Sequence, residues 1–386
     1  MGRLAHEMDS DERRLGSGWI SGMLSVVLGC VGLGTVLCLM YPQVLTVPEI
    51  HTLYSEQVVG LIRLALHVVL IAAFVFGVLS ITLRHSKTLG FAGIAIVLIA
   101  ALMGGSKVSR HLTGESDMYF GLDFFLLNLI LLGAIFIPIE RLFKKREQPI
   151  FRDDWREDFL YFFISSLFVQ SLTYMSLTPS LELVKGTGWA SGFREMIASQ
   201  PLILQFFEIM FLTDFVQYWF HRLFHEIPWL WKFHAVHHSA RKMDWVAGSR
   251  MHLVEIVLLR AFSTVPMYFM GYAESALYAY IFFVYLFSVF VHSNVRFHFG
   301  FLQYILCTPR FHHWHHGVEK ESININYAVH FPIIDRIFGT YHMPDEEWPE
   351  GYGIAGHPVP HGYFSQFKYP FQKQEKTRHS ETDGDS

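Results

Sequence analysis

The chain has 386 residues, 52% of them hydrophobic and 17% charged, with a net charge of −4 and a mean hydropathy of +0.29. That apolar share, gathered in long runs, excludes an ordinary soluble domain and points to a multispan membrane protein. The negative balance argues against nucleic acid as a partner, and Cys30, Cys38 and Cys307 form no disulfide framework.

The first stretch, "MGRLAHEMDSDERRLGSG", is too polar for a cleavable signal, and His6 stands where a myristoylation signal wants Ser or Thr. Trp19–Tyr41 is uncharged and long enough to cross a bilayer, as are Leu64–Leu83 and Phe159–Leu181. Leu89–Gly105, Met118–Ile139 and Tyr272–Val291 read as further spans. Pro201–Phe220 and Ile256–Met270 are apolar but carry Glu208, Asp214 and Arg260, and an ionisable group at such depth is a functional signal. Arg3, Arg13 and Arg14 before the first span, "LRHSK" after the second and "ERLFKKR" after the fourth outnumber Lys107 and Arg110. The positive-inside rule then puts the N-terminus in the cytoplasm. The basic loop at 140–156 divides a four-span unit, residues 1–150, from a second unit of about four apolar segments, residues 151–370. Residues 371–386 read as a disordered polar tail. The fold class expected is all-α: a multispan helical bundle.

In the second unit the histidines cluster. "HRLFHEIPWLWKFHAVHH" carries His221, His225, His234, His237 and His238; His292 follows the Ile256–Val291 hairpin; "TPRFHHWHHG" adds His312, His313, His315 and His316. Residues i and i+4 share a helix face, so His221 and His225 are able to address one ion, with Asp214 and Gln217 on the same stripe. Asp214 is there read as orienting a ligand histidine or offsetting metal charge. Each H-x2-H-H group offers three more nitrogens. By alternation of the spans, every cluster falls on the cytoplasmic face. Isolated histidines (His6, His51, His67, His85, His111, His379) are read as surface or satisfied polar residues. Imidazole suits Zn, Cu, Fe and Ni alike, but nine candidates exceed one ion, and no cysteine stands beside them. A two-ion, nitrogen-rich site at a membrane edge fits iron that activates dioxygen. The interleaved Tyr218, Trp219, Phe220, Phe224, Trp229, Trp231 and Trp314 are read first as interfacial anchors and second as a lipid-facing wall.

The stretches "HRLFHEIPWLWKFHAVHHSARKMDWVAGSRMHLVE" and "TPRFHHWHHGVEKESININYAVHFPIIDRIFGTY" resemble the fatty acid hydroxylase/sterol desaturase superfamily, integral membrane enzymes with non-haem di-iron centres. The likeness covers roughly residues 155–370. It implies two iron ions cycling between Fe2+ and Fe3+, dioxygen as co-substrate, and as metal ligands His221, His225, His234, His237, His238, His292, His312, His315 and His316. His313, Asn326 and Asp335 are then supporting residues. "SRMHLVE" has Leu253 where the family has proline, which leaves His252 a doubtful ligand and gives Arg250 and Glu255 a role in starting the helix. The reaction implied is hydroxylation of an unactivated C–H bond of a lipid. Desaturation by the same centre is the first rival. A histidine-rich metal transporter or buffer is the second, although transport would want ligands near the bilayer midplane. With no dinucleotide fingerprint and no cysteine-rich cluster motif, electrons come from a separate ferredoxin, rubredoxin or cytochrome-type donor and its reductase. The loop Arg141–Arg146 is first a topology signal and second a docking site for such a donor.

Overall fold

The structure is a computed structural model and describes residues 3–10, 13–14, 16–109, 119–185, 191–356 and 358–372. Arg110, His111, Met118, His379 and the tail 373–386 lie outside the described residues. Among the described residues there is no β-strand, only the isolated bridges Lys144–Val295 and Gly317–Tyr352.

Four long helices dominate the N-terminal part: α1 Trp19–Met40, α2 Glu56–Leu83, α3 Thr88–Leu102 and α4 Leu122–Leu142. The first packs along both of the next two. This close approach depends on small residues. Ser25 Oγ donates to the Ala73 carbonyl at 2.7 Å, and a Cβ on Gly93 would sit 2.0 Å from that hydroxyl. Helix α2 starts eight residues before the uncharged run suggested, because Ser55 caps it and the Arg63 guanidinium finds acceptors from a distant segment. The Arg63 guanidinium donates to the carbonyls of Ser106 and Val108, each at 2.7 Å.

The second part contains two bent helix pairs. Helices α5 Trp155–Leu167 and α6 Val169–Lys185 meet at 64°, so the expected single span Phe159–Leu181 is a broken one. Helices α7 Ser191–Ala198 and α8 Leu202–Glu226 meet at 116°, at Pro201, where the residue before a proline is driven out of helical geometry. Helix α8 runs on past the expected end at Phe220. A single residue, Ile227, separates it from α9 Pro228–His238. The pair α10 Leu253–Met270 and α11 Glu274–His292 turns at Gly271, whose φ of 77° is one that glycine adopts without strain. Short helices α12 Pro309–His315 and α13 Pro332–Phe338 complete the site region, and α14 Tyr363–Lys368 folds back against it. Six described helices are long and apolar enough to cross a membrane, and eight spans result if each bent pair counts as one.

A buried ion network ties the start of α5 to the loops around the histidines. Arg152 donates to Asp244 at 2.7 Å and to Asp158 at 2.5 Å, and Asp158 also accepts from Arg250. The side chains of Arg152 and Asp158 are fully covered, at 0% exposure, so their charges are compensated by one another rather than by water.

Candidate metal centre

Four helices aim histidines into one region at the same end of the bundle. The last two turns of α8 supply His221 and His225, and α9 supplies His234, His237 and His238. The final residue of α11 is His292, and α12 with its C-cap brings His312, His315 and His316. Thr308 begins α12 by accepting from the Phe311 amide, and Pro309 fills the first helical position.

All nine histidines come together, and they fall into two groups. His221, His225, His234, His238 and His315 form one; His237, His292, His312 and His316 form the other. Within each group one nitrogen per ring lies within 4.8 Å of every other. The groups adjoin, since the His238 and His316 rings stack with centroids 4.3 Å apart.

Hydrogen bonds fix which nitrogen is bare. Carbonyl oxygens only accept, so the ring Nδ1–H donates from His221 to Tyr327 at 2.8 Å, from His237 to Arg250 at 3.0 Å and from His292 to Ser288 at 2.6 Å. His315 donates likewise to Ile325 at 2.7 Å, and His234 Nδ1 meets the Glu255 carboxylate at 2.5 Å. The opposite nitrogens, as unprotonated Nε2 lone pairs, are turned on one another. His221 faces His234 at 3.0 Å and His237 faces His292 at 3.3 Å, while the His315 nitrogen is turned on His238 at 3.0 Å. Two bare lone pairs at such range repel unless a cation stands between them. The buried His225 Nε2 has no hydrogen-bond partner, in keeping with the same need. Outside the spans, His234, His237, His238, His312, His315 and His316 are held well below the ordinary imidazole range, by burial first and by neighbouring imidazoles next. The donor set is therefore neutral, nitrogen-rich and suited to two transition-metal ions.

The surrounding shell departs from expectation in three places. Asp214 touches none of the histidines; its carboxylate accepts the amides of Val329, His330 and Phe331 at 2.7, 3.1 and 2.7 Å and so anchors that loop. His252 stays out of both groups. It caps α10 by accepting from the Val254 amide at 3.2 Å, and its other nitrogen donates to the Phe367 carbonyl at 3.1 Å. Glu255 does more than begin a helix, because it is the carboxylate behind His234, and Arg250 supplies the carbonyl behind His237. A carboxylate behind an imidazole orients the ring and raises its basicity. The signal for this lay in the spacing of "RMHLVE", which the leucine at 253 obscured.

His313, Asn326 and Asp335 all support the cluster from one step away. His313 Nδ1 accepts from the Tyr352 hydroxyl at 2.8 Å, and its Nε2 reaches the His292 carbonyl at 3.3 Å. Asp335 accepts the amides of Tyr327 and Ala328 at 2.8 and 2.9 Å, and Asn326 donates to the carbonyls of Phe311 and His342. Together they hold the strained 324–328 loop, with φ of 59° at Asn324 and 54° at Asn326, whose carbonyls at 325 and 327 lock the His315 and His221 rings. Of the aromatics, Trp231 lies against His225 and His238 at 5.0 and 5.4 Å, whereas Trp229 is 61% exposed. In the basic loop, Arg146 is spent on the Tyr352 hydroxyl and on the Pro349 and Glu350 carbonyls.

Comparison with known proteins agrees with this geometry. Residues 206–340 match the fatty acid hydroxylase family model. An ornithine lipid hydroxylase of Rhizobium tropici is 33% identical over 175 residues, 45% of this chain and 52% of that protein. Human alkylglycerol monooxygenase is 33% identical over 147 residues, 38% of this chain and 32% of that enzyme. A Dictyostelium discoideum protein named as a methylsterol monooxygenase is 27% identical over 211 residues, 54% and 76% of the two lengths. The chain thus spans about half of the first relative and a third of the second, and no solved structure matches it. The segment that carries these histidines is thus similar to the fatty acid hydroxylase family, over residues 206–340.

Proposed function

We propose that this protein is an oxygen-dependent lipid hydroxylase of the membrane, working with two irons held by the nine histidines. The observation that carries the reading is the pair of adjoining groups of imidazole nitrogens, five and four in number. When bound, the two ions supply dioxygen reduction: a C–H bond, O2, two electrons and two protons become an alcohol and water.

The chain's own residues have three tasks in this account. The carbonyls of Tyr327, Arg250, Ser288 and Ile325 and the Glu255 carboxylate keep the rings in one tautomer and one orientation. The Tyr352–His313 pair steadies the end of α11 and hence His292. Trp231, Phe224 and Tyr327 cover the first group and exclude water, with Phe224 1% and Tyr327 0% exposed. The target carbon has to be held beside the ions, which is a matter of placement rather than of acid–base chemistry.

The substrate class is a membrane lipid with a polar end, a reading supported by relatives named as an ornithine lipid hydroxylase, an alkylglycerol monooxygenase and a methylsterol monooxygenase. Electrons come from a separate donor of ferredoxin, rubredoxin or cytochrome type, and the site opens on the cytoplasmic face, as the positive-inside count supports. Comparative lipid mass spectrometry of cells with and without the gene tests the activity. A product heavier by one oxygen supports hydroxylation; a product lighter by two hydrogens would make the enzyme a desaturase.

A further inference from the structure

Arg260 sits at mid-length in α10, one of the helices apolar enough to span a membrane. A guanidinium at that depth costs several kcal/mol unless it faces the bundle interior and finds a partner. Here the first condition is met. Ile256, Ser263 and Met267, at four before and three and seven after it, are all buried, so Arg260 lies on the inward stripe of its helix. Met267 of that stripe packs against Ile209 and Met210 of α8 and Tyr280 of α11.

The second condition is not met among the described residues. No carboxylate and no hydrogen-bond acceptor among the described residues pairs with the Arg260 guanidinium; the Tyr285 hydroxyl of α11 is the ionisable group set against it. Arg260 is nonetheless exposed, although its neighbours on the stripe are covered. The backbones explain how. Helix α10 packs on α6 and α8, and α11 packs on α8, while α10 and α11 scarcely touch each other. The two backbones therefore stand apart here, with Arg260 on one and Tyr285, which acts on it electrostatically, on the other.

Both helices lead to the metal centre. Arg260 is five residues beyond Glu255, the carboxylate behind His234, and Tyr285 is seven residues before His292. At 1.5 Å per residue these offsets are about 8 Å and about 10 Å along the two helices.

We infer that a cleft between α10 and α11 binds a lipid through an anionic group, a carboxylate or a phosphate, received by Arg260 with Tyr285 beside it. Such groups match the guanidinium fork and supply the charge that the protein withholds. The inference deepens the hydroxylase reading and rests on it for the identity of the site. It adds a ruler, since the carbon presented to the ions lies within about 10 Å of the anionic group.

Photocrosslinking tests it without relying on turnover. Full-length iron-loaded protein in detergent is irradiated with three diazirine probes of equal chain length: a fatty acid, a lysophosphatidic acid and a fatty alcohol. Labelled peptides are located by mass spectrometry. At least one acid probe should label α10 or α11 about tenfold more than the alcohol, the scale of one charge-assisted hydrogen-bond pair. The label should persist in Arg260→Lys and vanish in Arg260→Met at unchanged iron content. The acid probe that labels identifies the anionic group as carboxylate or phosphate. Equal labelling by the alcohol, absence of acid labelling, or full labelling of Arg260→Met overturns the inference. Labelling without any lipid oxidation by the wild type would keep the cleft assignment and sink the hydroxylase reading. Oxidation of uncharged lipids at the same rate in Arg260→Met would do the reverse.

Discussion

Gly248 is the position where one added methyl group should reach the metal centre. It lies in the short turn Ala247–Ser249, and a Cβ built on it would stand 2.8 Å from His292 Nδ1, 2.9 Å from Cγ and 3.2 Å from Cε1. Ordinary contacts are about 3.5–4.0 Å, so the imidazole has to retreat by roughly half an ångström to one ångström. It cannot do so freely, because Nδ1 donates to Ser288 at 2.6 Å and Nε2 lies 2.9 Å from His312 and 3.3 Å from His237. Crowding of this kind costs about 1–3 kcal/mol. If that cost falls on the four-histidine group, metal affinity there drops by about ten- to a hundredfold, the usual penalty for a misplaced ligand shell. The assay is iron content after dialysis against a graded chelator. Gly248→Ala should lose the ion of the His237–His292–His312–His316 group first and keep the other. Gly192→Ala, with nothing within 4 Å of the new Cβ, is the control and should retain both. A Gly248→Ala protein that holds its iron as firmly as the control would refute the argument that His292 is pinned against this turn.

Three further substitutions follow from the same shell. Glu255→Gln should weaken iron at the five-histidine group by about ten- to a hundredfold with the fold intact, read as chelator sensitivity; unchanged sensitivity would show that the carboxylate does not tune His234. Arg152→Leu leaves Asp244 buried without its guanidinium and Asp158 with Arg250 alone, and should cost about 3–5 kcal/mol in detergent unfolding, whereas an exposed pair such as Arg222–Glu226 is worth under about 1. His330, outside the spans and beside the Tyr280 hydroxyl at 3.1 Å, is held by burial at a pKa of about 3 against an ordinary 6.5. Its folded pKa is depressed, so its share of stability is whole above pH 6.5 and is lost as pH falls from there towards 3. The loss is about 1.4 kcal/mol per pH unit. His330→Asn should flatten the acid side of the stability profile, and an unaltered slope would count against the assignment.

The histidine constellation could be read from the chain because ligation needs one residue type at helical spacings, and those spacings survive folding. His221 and His225 are four apart on α8, and the H-x2-H-H groups sit on or at the end of α9 and α12. Local apolar runs announced the helices just as directly. What stayed hidden was long-range. Asp214 stands on the histidine stripe of α8 but is claimed by amides 115 to 117 residues later, a partner no local pattern predicts. Glu255 meets His234 across 21 residues and a turn. The early start of α2 depends on Arg63 finding two carbonyls more than 40 residues away. The break after Leu167 coincides with neither glycine nor proline; the second helix simply turns away to pack against α10. Which histidines converge is thus local information, whereas what supports them is tertiary.

The most direct test is metal analysis of the protein purified in detergent from iron-fed cells. About two irons per chain are expected, the count that a five- and a four-imidazole group call for. His237→Ala and His234→Ala should each lower that count by removing a ligand from a different group. A wild-type protein carrying a single zinc, or one whose iron content neither substitution changes, would contradict the account.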